Sequence, residues 1–401
     1  MRRALLLGVA ALLSGGIAVA QHQHPHMQAM DAFAADARDA FTATPAFGAD
    51  GTLWLVRGMA DRVLVSRSTD LGKSFSPQIS VTPGPIGMDW GPDSRPQILI
   101  TASGRLVVTW AVFKDKQFNG RVYATYSDDN GASFAAARPI TADDASQRFQ
   151  QTALDADGRI FAAWIDKRGA AAARAAGKPY PGAALAYAWS SDGKTFGDAT
   201  VALDNTCECC RLGVALAGPG RPAVLFRNVF GGTTRDHAVI TFENPTTPGP
   251  LRRVSIDDWK IDACPHHGPS LAIAADGSYH AAWFTGGEAR QGIFYARADD
   301  GVASFSEPRA LSSPERQPGR PYLLAIGNTV HLVWKEFDGT RTRILWQVSH
   351  DSGRSWSAAH PVADTDDASD HPLLIARKSQ AFLSWLTKTE GYRLIALEDS
   401  P

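Results

Sequence analysis

Apolar positions along the chain fall into short paired runs separated by a turn glycine. A polar loop leads into a brief apolar run, the glycine follows, and a second apolar run carries an aromatic at a set place. Trp110, Trp164, Phe226 and Trp283 each stand six residues after Gly104, Gly158, Gly220 and Gly277, and Trp334 stands seven after Gly327. Trp385 occupies the same place in a further copy. The first copy, from Pro45 to Val56, turns at Asp50-Gly51 and carries its tryptophan earlier, at Trp54. Such runs, bounded by turn residues, predict antiparallel strands joined by tight hairpins. Units start near Pro45, Pro96, Gln151, Leu212, Pro269, Pro321 and Pro372. That spacing of roughly 50 to 60 residues is the period of a four-stranded propeller blade, so the pattern predicts an all-β propeller. Seven blades are the favoured count, with six as the alternative.

Most units continue into a third strand and then a polar turn. Ser68-Thr69-Asp70-Leu71-Gly72-Lys73-Ser74-Phe75, Ser127-Asp128-Asp129-Asn130-Gly131-Ala132-Ser133-Phe134 and Ser349-His350-Asp351-Ser352-Gly353-Arg354-Ser355-Trp356 all read S-x-D-x-G-x-x-aromatic. Ser190-Ser191-Asp192-Gly193-Lys194-Thr195-Phe196 is one residue shorter. The aspartate accepts from nearby backbone N–H groups, the glycine takes a positive φ, and the aromatic tucks beneath the hairpin. This turn resembles the Asp-box, or BNR, repeat of the sialidase-like superfamily. The resemblance implies a β-propeller with an Asp box between the third and fourth strands of its blades. The last unit, Pro372 to Glu398, shows only three strands, so a strand from the segment between Met27 and Phe41 is expected to close the ring.

Composition narrows the function. Lys plus Arg is 40 against 41 for Asp plus Glu, a formal charge of −1 that offers no general attraction for nucleic acid or anionic lipid. Arg2 and Arg3 precede an apolar run from Ala4 to Leu13 and a small-x-small site at Ala18-Val19-Ala20. This reads as a signal peptide over 1–20, cleaved near Ala20, and the run is too short to span a bilayer. A periplasmic or secreted protein with no membrane span is expected. Residues 21–43 form a leader whose start, Gln21 to Met30, is rich in histidine and methionine, a metal-binding composition. One propeller domain should fill 44–401.

In such a propeller the loops entering the first strand and leaving the second gather around one mouth of the central channel, with the Asp boxes Asp70, Asp129 and Asp351 at the other end. That mouth collects Arg95, Arg211, Arg227, Arg235, Arg320 and Lys335 together with Asp236, a mostly cationic set suited to a glycan or other small anionic ligand. The sialidase resemblance implies an arginine clamp built from Arg95 with Arg227 or Arg235 and Arg320. It also implies Asp115 as general acid and Tyr322 as nucleophile with Glu336 as its partner. A second cluster is chemically distinct. Cys207-Glu208-Cys209-Cys210 and Cys264-Pro265-His266-His267 hold every cysteine of the chain and enter adjacent blades. Two disulfides would require one bridge inside the C-x-C-C segment. The alternative is a copper or zinc site of Cys207, Cys209, Cys210 and Cys264 with His266 or His267. Two functions follow: an exported sialidase-like glycoside hydrolase or glycan binder, or a non-hydrolytic propeller that binds a soft metal or serves as a protein-interaction scaffold.

Overall fold

The computed structural model describes residues 42–59, 61–89, 91–180, 182–299 and 302–398. The expected signal peptide, residues 21–41 of the expected leader and the expected ring-closing strand lie outside these residues; Thr42 and Ala43, assigned to the leader, instead open the first strand. The regular structure of the described chain is almost entirely antiparallel strand. β1 (Thr42–Phe47), β2 (Leu53–Met59), β3 (Arg62–Ser68) and β4 (Ile79–Ser80) form one sheet, and β5 (Gln97–Ile100), β6 (Leu106–Phe113), β7 (Gly120–Ser127) and β8 (Arg138–Pro139) a second. β9 (Gln147–Leu154), β10 (Ile160–Asp166), β11 (Ala183–Ser190) and β12 (Thr200–Thr206) make a third meander, with the helix α1 (Arg168–Ala175) in its β10–β11 loop. β13 (Gly213–Leu216), β14 (Pro222–Phe230), β15 (Thr234–Asn244), β16 (Thr247–Pro248) and β17 (Arg252–Arg253) follow. A single pair, Thr206 with Asn228, joins these last two meanders into one nine-stranded sheet.

Three more sheets complete the chain. They are β18 (Ser270–Ile273), β19 (Tyr279–Gly286), β20 (Gln291–Ala298) and β21 (Arg309–Ala310); then β22 (Gly319–Ile326), β23 (Thr329–Phe337), β24 (Thr342–Ser349) and β25 (His360–Thr365); then β26 (Leu373–Arg377), β27 (Gln380–Thr387) and β28 (Gly391–Ala396).

The second strand of each meander is buried on both faces, which explains why these runs are continuously apolar rather than alternating. Leu225 packs toward β19 and its neighbours while Phe226 packs toward β10 and β11. Likewise, Leu332 and Trp334 face the sheet before theirs and Val333 the sheet after. The repeated aromatic is therefore a wedge. Trp110, Trp164, Phe226, Trp283, Trp334 and Trp385 each fill the space against the preceding sheet. Trp54, displaced by an odd number of residues, points the other way, into the core shared with β6. The first and last of these sheets meet: Ala43 and Leu55 pack with Leu386, and Phe47 meets Phe382 with ring centroids 5.9 Å apart. The sheets thus close on themselves as an all-β propeller.

The Asp boxes form as their sequence predicts. Asp70 accepts from Ser68 Oγ at 2.7 Å and from Ser74 N at 2.9 Å, and Asp129 and Asp351 repeat the pattern. Each lies between the third and fourth strands of its sheet.

Candidate functional site

One cavity of about 300 Å³ runs along the propeller axis, lined by residues of β1, β5, β9, β13, β18, β22 and β26, the first strand of every meander. Arg95, Arg211 and Tyr322 stand on its wall. Because successive strands reverse direction, loops entering these first strands share one end of the axis, and the Asp boxes share the other.

At the mouth, several expected ligand-binding groups are occupied by the protein itself. Arg95 makes a buried bidentate pair with Asp370, at 2.9 and 2.6 Å. Arg227 donates to the carbonyls of Arg235, His267 and Phe284 and lies over the Trp259 ring. Asp236, fully buried, accepts the backbone N–H groups of Asp257, Asp258 and Trp259 and pairs with Arg253. Lys335 donates to Ser369 Oγ at 2.7 Å, and burial lowers its pKa to about 8. Arg211 donates only to the carbonyls of Pro269 and Pro321, and no carboxylate lies within ion-pair distance of it among the described residues.

The three expected catalytic groups do not converge. Asp115 is exposed and ties its own loop, accepting from Asn119 Nδ2 at 2.7 Å. That bond holds its pKa below the usual carboxylate value, the wrong direction for a general acid. Tyr322 faces the axial cavity beneath Arg211, whose guanidinium is 5.7 Å from its ring centre. Glu336 accepts the indole N–H of Trp334 at 3.0 Å and the hydroxyl of Ser312 at 2.5 Å. It serves the repeat wedge, as Asp166 does for Trp164 at 3.0 Å.

The cysteine cluster does converge. Cys207 leaves β12 with its N–H bonded to Arg227 O, and the turn at Glu208-Cys209 folds the segment back. The Sγ atoms of Cys207, Cys209 and Cys210 lie within 4.8 Å of one another, and those of Cys209 and Cys264 lie within 4.8 Å of each other and of a His266 ring nitrogen. Cys207 Sγ and Cys209 Sγ are 3.5 Å apart, and no S–S bond joins any two of the four cysteines in this structure. His267 does not join them. It stacks on Phe284 with centroids 4.0 Å apart, because His266 takes a left-handed backbone (φ 49°) that turns the two rings apart.

Two devices bring the loops together. At Gly268 a Cβ would stand 2.0 Å from Arg211 Cγ and 2.7 Å from Arg211 O, so only glycine admits this approach. Arg320 sits in a β-bulge of β22 with φ 57°, and this re-aims its guanidinium to the His266 carbonyl and to Asp93. A matching bulge in β9 leaves Phe149 at φ 60°, its ring 6.4 Å from that of His266. Non-glycine residues held at positive φ are costly and gather at functional sites.

The three clustered thiols differ in their electrostatics. Hydrogen bonds from Cys209 and Cys210, with Arg227 and Arg235 beside it, hold Cys207 well below the usual thiol range, and donation to Cys207 pushes Cys210 up to about 12. Arg235 Nη1 is 3.1 Å from Cys207 Sγ. Burial keeps His266 and His267 neutral, the form that ligates metal. Beside Cys209, Cys264 and His266 opens a cavity of about 220 Å³, walled by Phe113, Phe118, Phe149 and the Asp89–Arg148 pair. Phe149 carries no sequence signal for this role; the bulge that places it arises from strand pairing.

No family model and no curated protein matches this chain. Among solved structures it is similar to a PL25 ulvan lyase of the polysaccharide lyases, bound to -[GlcA(1-4)Rha3S]-, with a TM-score of 0.57 and 11% identity over 87% of this chain and 90% of that one. The polysaccharide lyase Uly1 gives a TM-score of 0.56 and 9% identity over 89% and 88%. These likenesses, at such identity, are likenesses of fold.

Proposed function

We propose that this chain is a metal-binding propeller whose mouth holds a soft ion, copper(I) in preference to zinc, through Cys207, Cys209, Cys210, Cys264 and His266. The observation that carries the reading is the convergence of those donors from two loops into two groups no wider than 4.8 Å. A thiol-rich set with one imidazole suits copper(I), and three-donor groups match its low coordination number better than the closed tetrahedron zinc prefers. We also infer seven blades, the nine-stranded sheet supplying two, in one propeller domain that begins with β1 and follows a cleaved signal peptide and a His/Met-rich leader. The deciding experiment is elemental analysis and thiol counting on protein purified from the exported fraction. Bound copper or zinc with four titratable thiols after its removal is expected. Two disulfides and no metal would overturn the reading.

A second reading, an anionic carbohydrate at the channel mouth, is supported by the fold shared with polysaccharide lyases and by the uncompensated guanidinium of Arg211. Binding of uronate and sulfated oligosaccharides, measured calorimetrically on the wild type and Arg211→Gln, tests it; equal or absent heats would end it. Sialidase-type cleavage through Asp115, Tyr322 and Glu336 draws no support from their placement.

A further inference from the structure

The five donors do not form one shell. Cys207, Cys209 and Cys210 make one group and Cys209, Cys264 and His266 another, and Cys209 is the member common to both. A three-coordinate ion with metal–sulfur bonds of about 2.3 Å needs donors about 4 Å apart, close to what each group already offers. The groups also differ in access. The three thiols of the first are buried, at 1, 3 and 2% exposure, whereas Cys264 is exposed and His266 borders the cavity of about 220 Å³.

We infer that the mouth holds two copper(I) ions bridged by the Cys209 thiolate, an inner ion on Cys207 and Cys210 and an outer ion on Cys264 and His266. This rests on the metal-binding reading and deepens it. A thiolate sulfur has lone pairs enough for two soft ions, and Cys209 is the one sulfur within reach of both groups. Two monovalent cations and four thiolates sum to −2, and the Arg235 guanidinium adjoins the inner group, 3.1 Å from Cys207 Sγ, to offset part of that charge. Loading releases to solvent whatever protons the four thiols carry, and no electron moves because copper arrives as copper(I). The exposed outer group fills directly from the cavity, and the bridging sulfur is the path inward.

The test is an anaerobic titration of the reduced full chain with copper(I) supplied as its bicinchoninate complex. Two ions per wild-type chain are expected, with one in Cys264→Ser, one in Cys210→Ser, and less than one in Cys209→Ser. X-ray absorption on the loaded wild type should show a copper–copper vector, a readout independent of whether any variant folds. One ion per wild-type chain with no such vector would overturn the bridge while leaving the metal-binding reading in place. No copper retained against bicinchoninate would overturn both.

Discussion

Removing the carboxylate of Asp370 should loosen the closure of the ring. Its two oxygens take Arg95 Nη1 and Nη2 at 2.9 and 2.6 Å, and Oδ2 also takes the N–H of Ala43 in β1 at 3.0 Å. One side chain from the loop entering β26 therefore ties the last sheet to the first and, through Arg95, to the second. The side chains of Arg95 and Asp370 are only 4 and 1% exposed, so Asp370→Ala leaves a guanidinium buried without its counter-charge. Breaking one partner of such a pair costs about 3–5 kcal/mol. With an unfolding entropy of ~0.75 kcal/mol/K for a propeller of this length, the midpoint should fall by about 4–7 °C. Differential scanning calorimetry of wild type, Asp370→Ala, Arg95→Met and the double variant Arg95→Met/Asp370→Leu measures this directly. The double variant should be less damaged than Asp370→Ala, since it leaves no charge stranded. A drop below about 1 °C for Asp370→Ala, or single-variant costs that merely add, would refute the strut and return Arg95 to the ligand-binding set.

His280 is buried between Ser278 Oγ and Tyr295 Oη, at 3.0 and 2.8 Å, and burial lowers its pKa to about 4. Its contribution, up to about 3 kcal/mol, is complete above an unfolded pKa near 6.5 and is lost as pH falls from there toward 4; urea midpoints of His280→Gln should depend less on pH over that window than those of the wild type, and parallel curves would count against it. Gly353 and Gly72 hold the same Asp-box turn at φ 78° and 82°, but a Cβ at Gly353 would meet Tyr295 Oη at 2.1 Å while one at Gly72 meets nothing closer than 3.4 Å. Gly353→Ala should therefore cost about 1–3 kcal/mol more than Gly72→Ala in chemical unfolding, and equal costs would show that φ strain alone sets the price. Gly268→Ala, with its Cβ against Arg211, should force the two cysteine loops apart and reduce bound copper in elemental analysis to below half the wild-type level; full retention would show that the loops can give.

The fold was legible because its signals are local and repeated. A turn glycine followed at a set distance by an aromatic reports a hairpin and a wedge, and each Asp box closes on itself within a few residues. The pairing of Cys207-Glu208-Cys209-Cys210 with Cys264 and His266 was legible too, since the repeat places both loops at the same end of adjacent units. The roles of charged side chains were not. Arg95 and Glu336 read as ligand-binding and catalytic groups because a sequence shows their chemistry and not their partners, and those partners are Asp370, 275 positions away, and the indole of Trp334. An aromatic-x-acid pattern at Trp164-Ile165-Asp166 and Trp334-Lys335-Glu336 could have pointed to the second. The division of the donors into two groups, with His267 turned aside, depends on a left-handed backbone at His266 and on the close approach at Gly268. Periodicity specified which residues share a face. Only tertiary packing decided which charges were already paired, because a buried ion must find its counter-charge wherever the closed ring brings one.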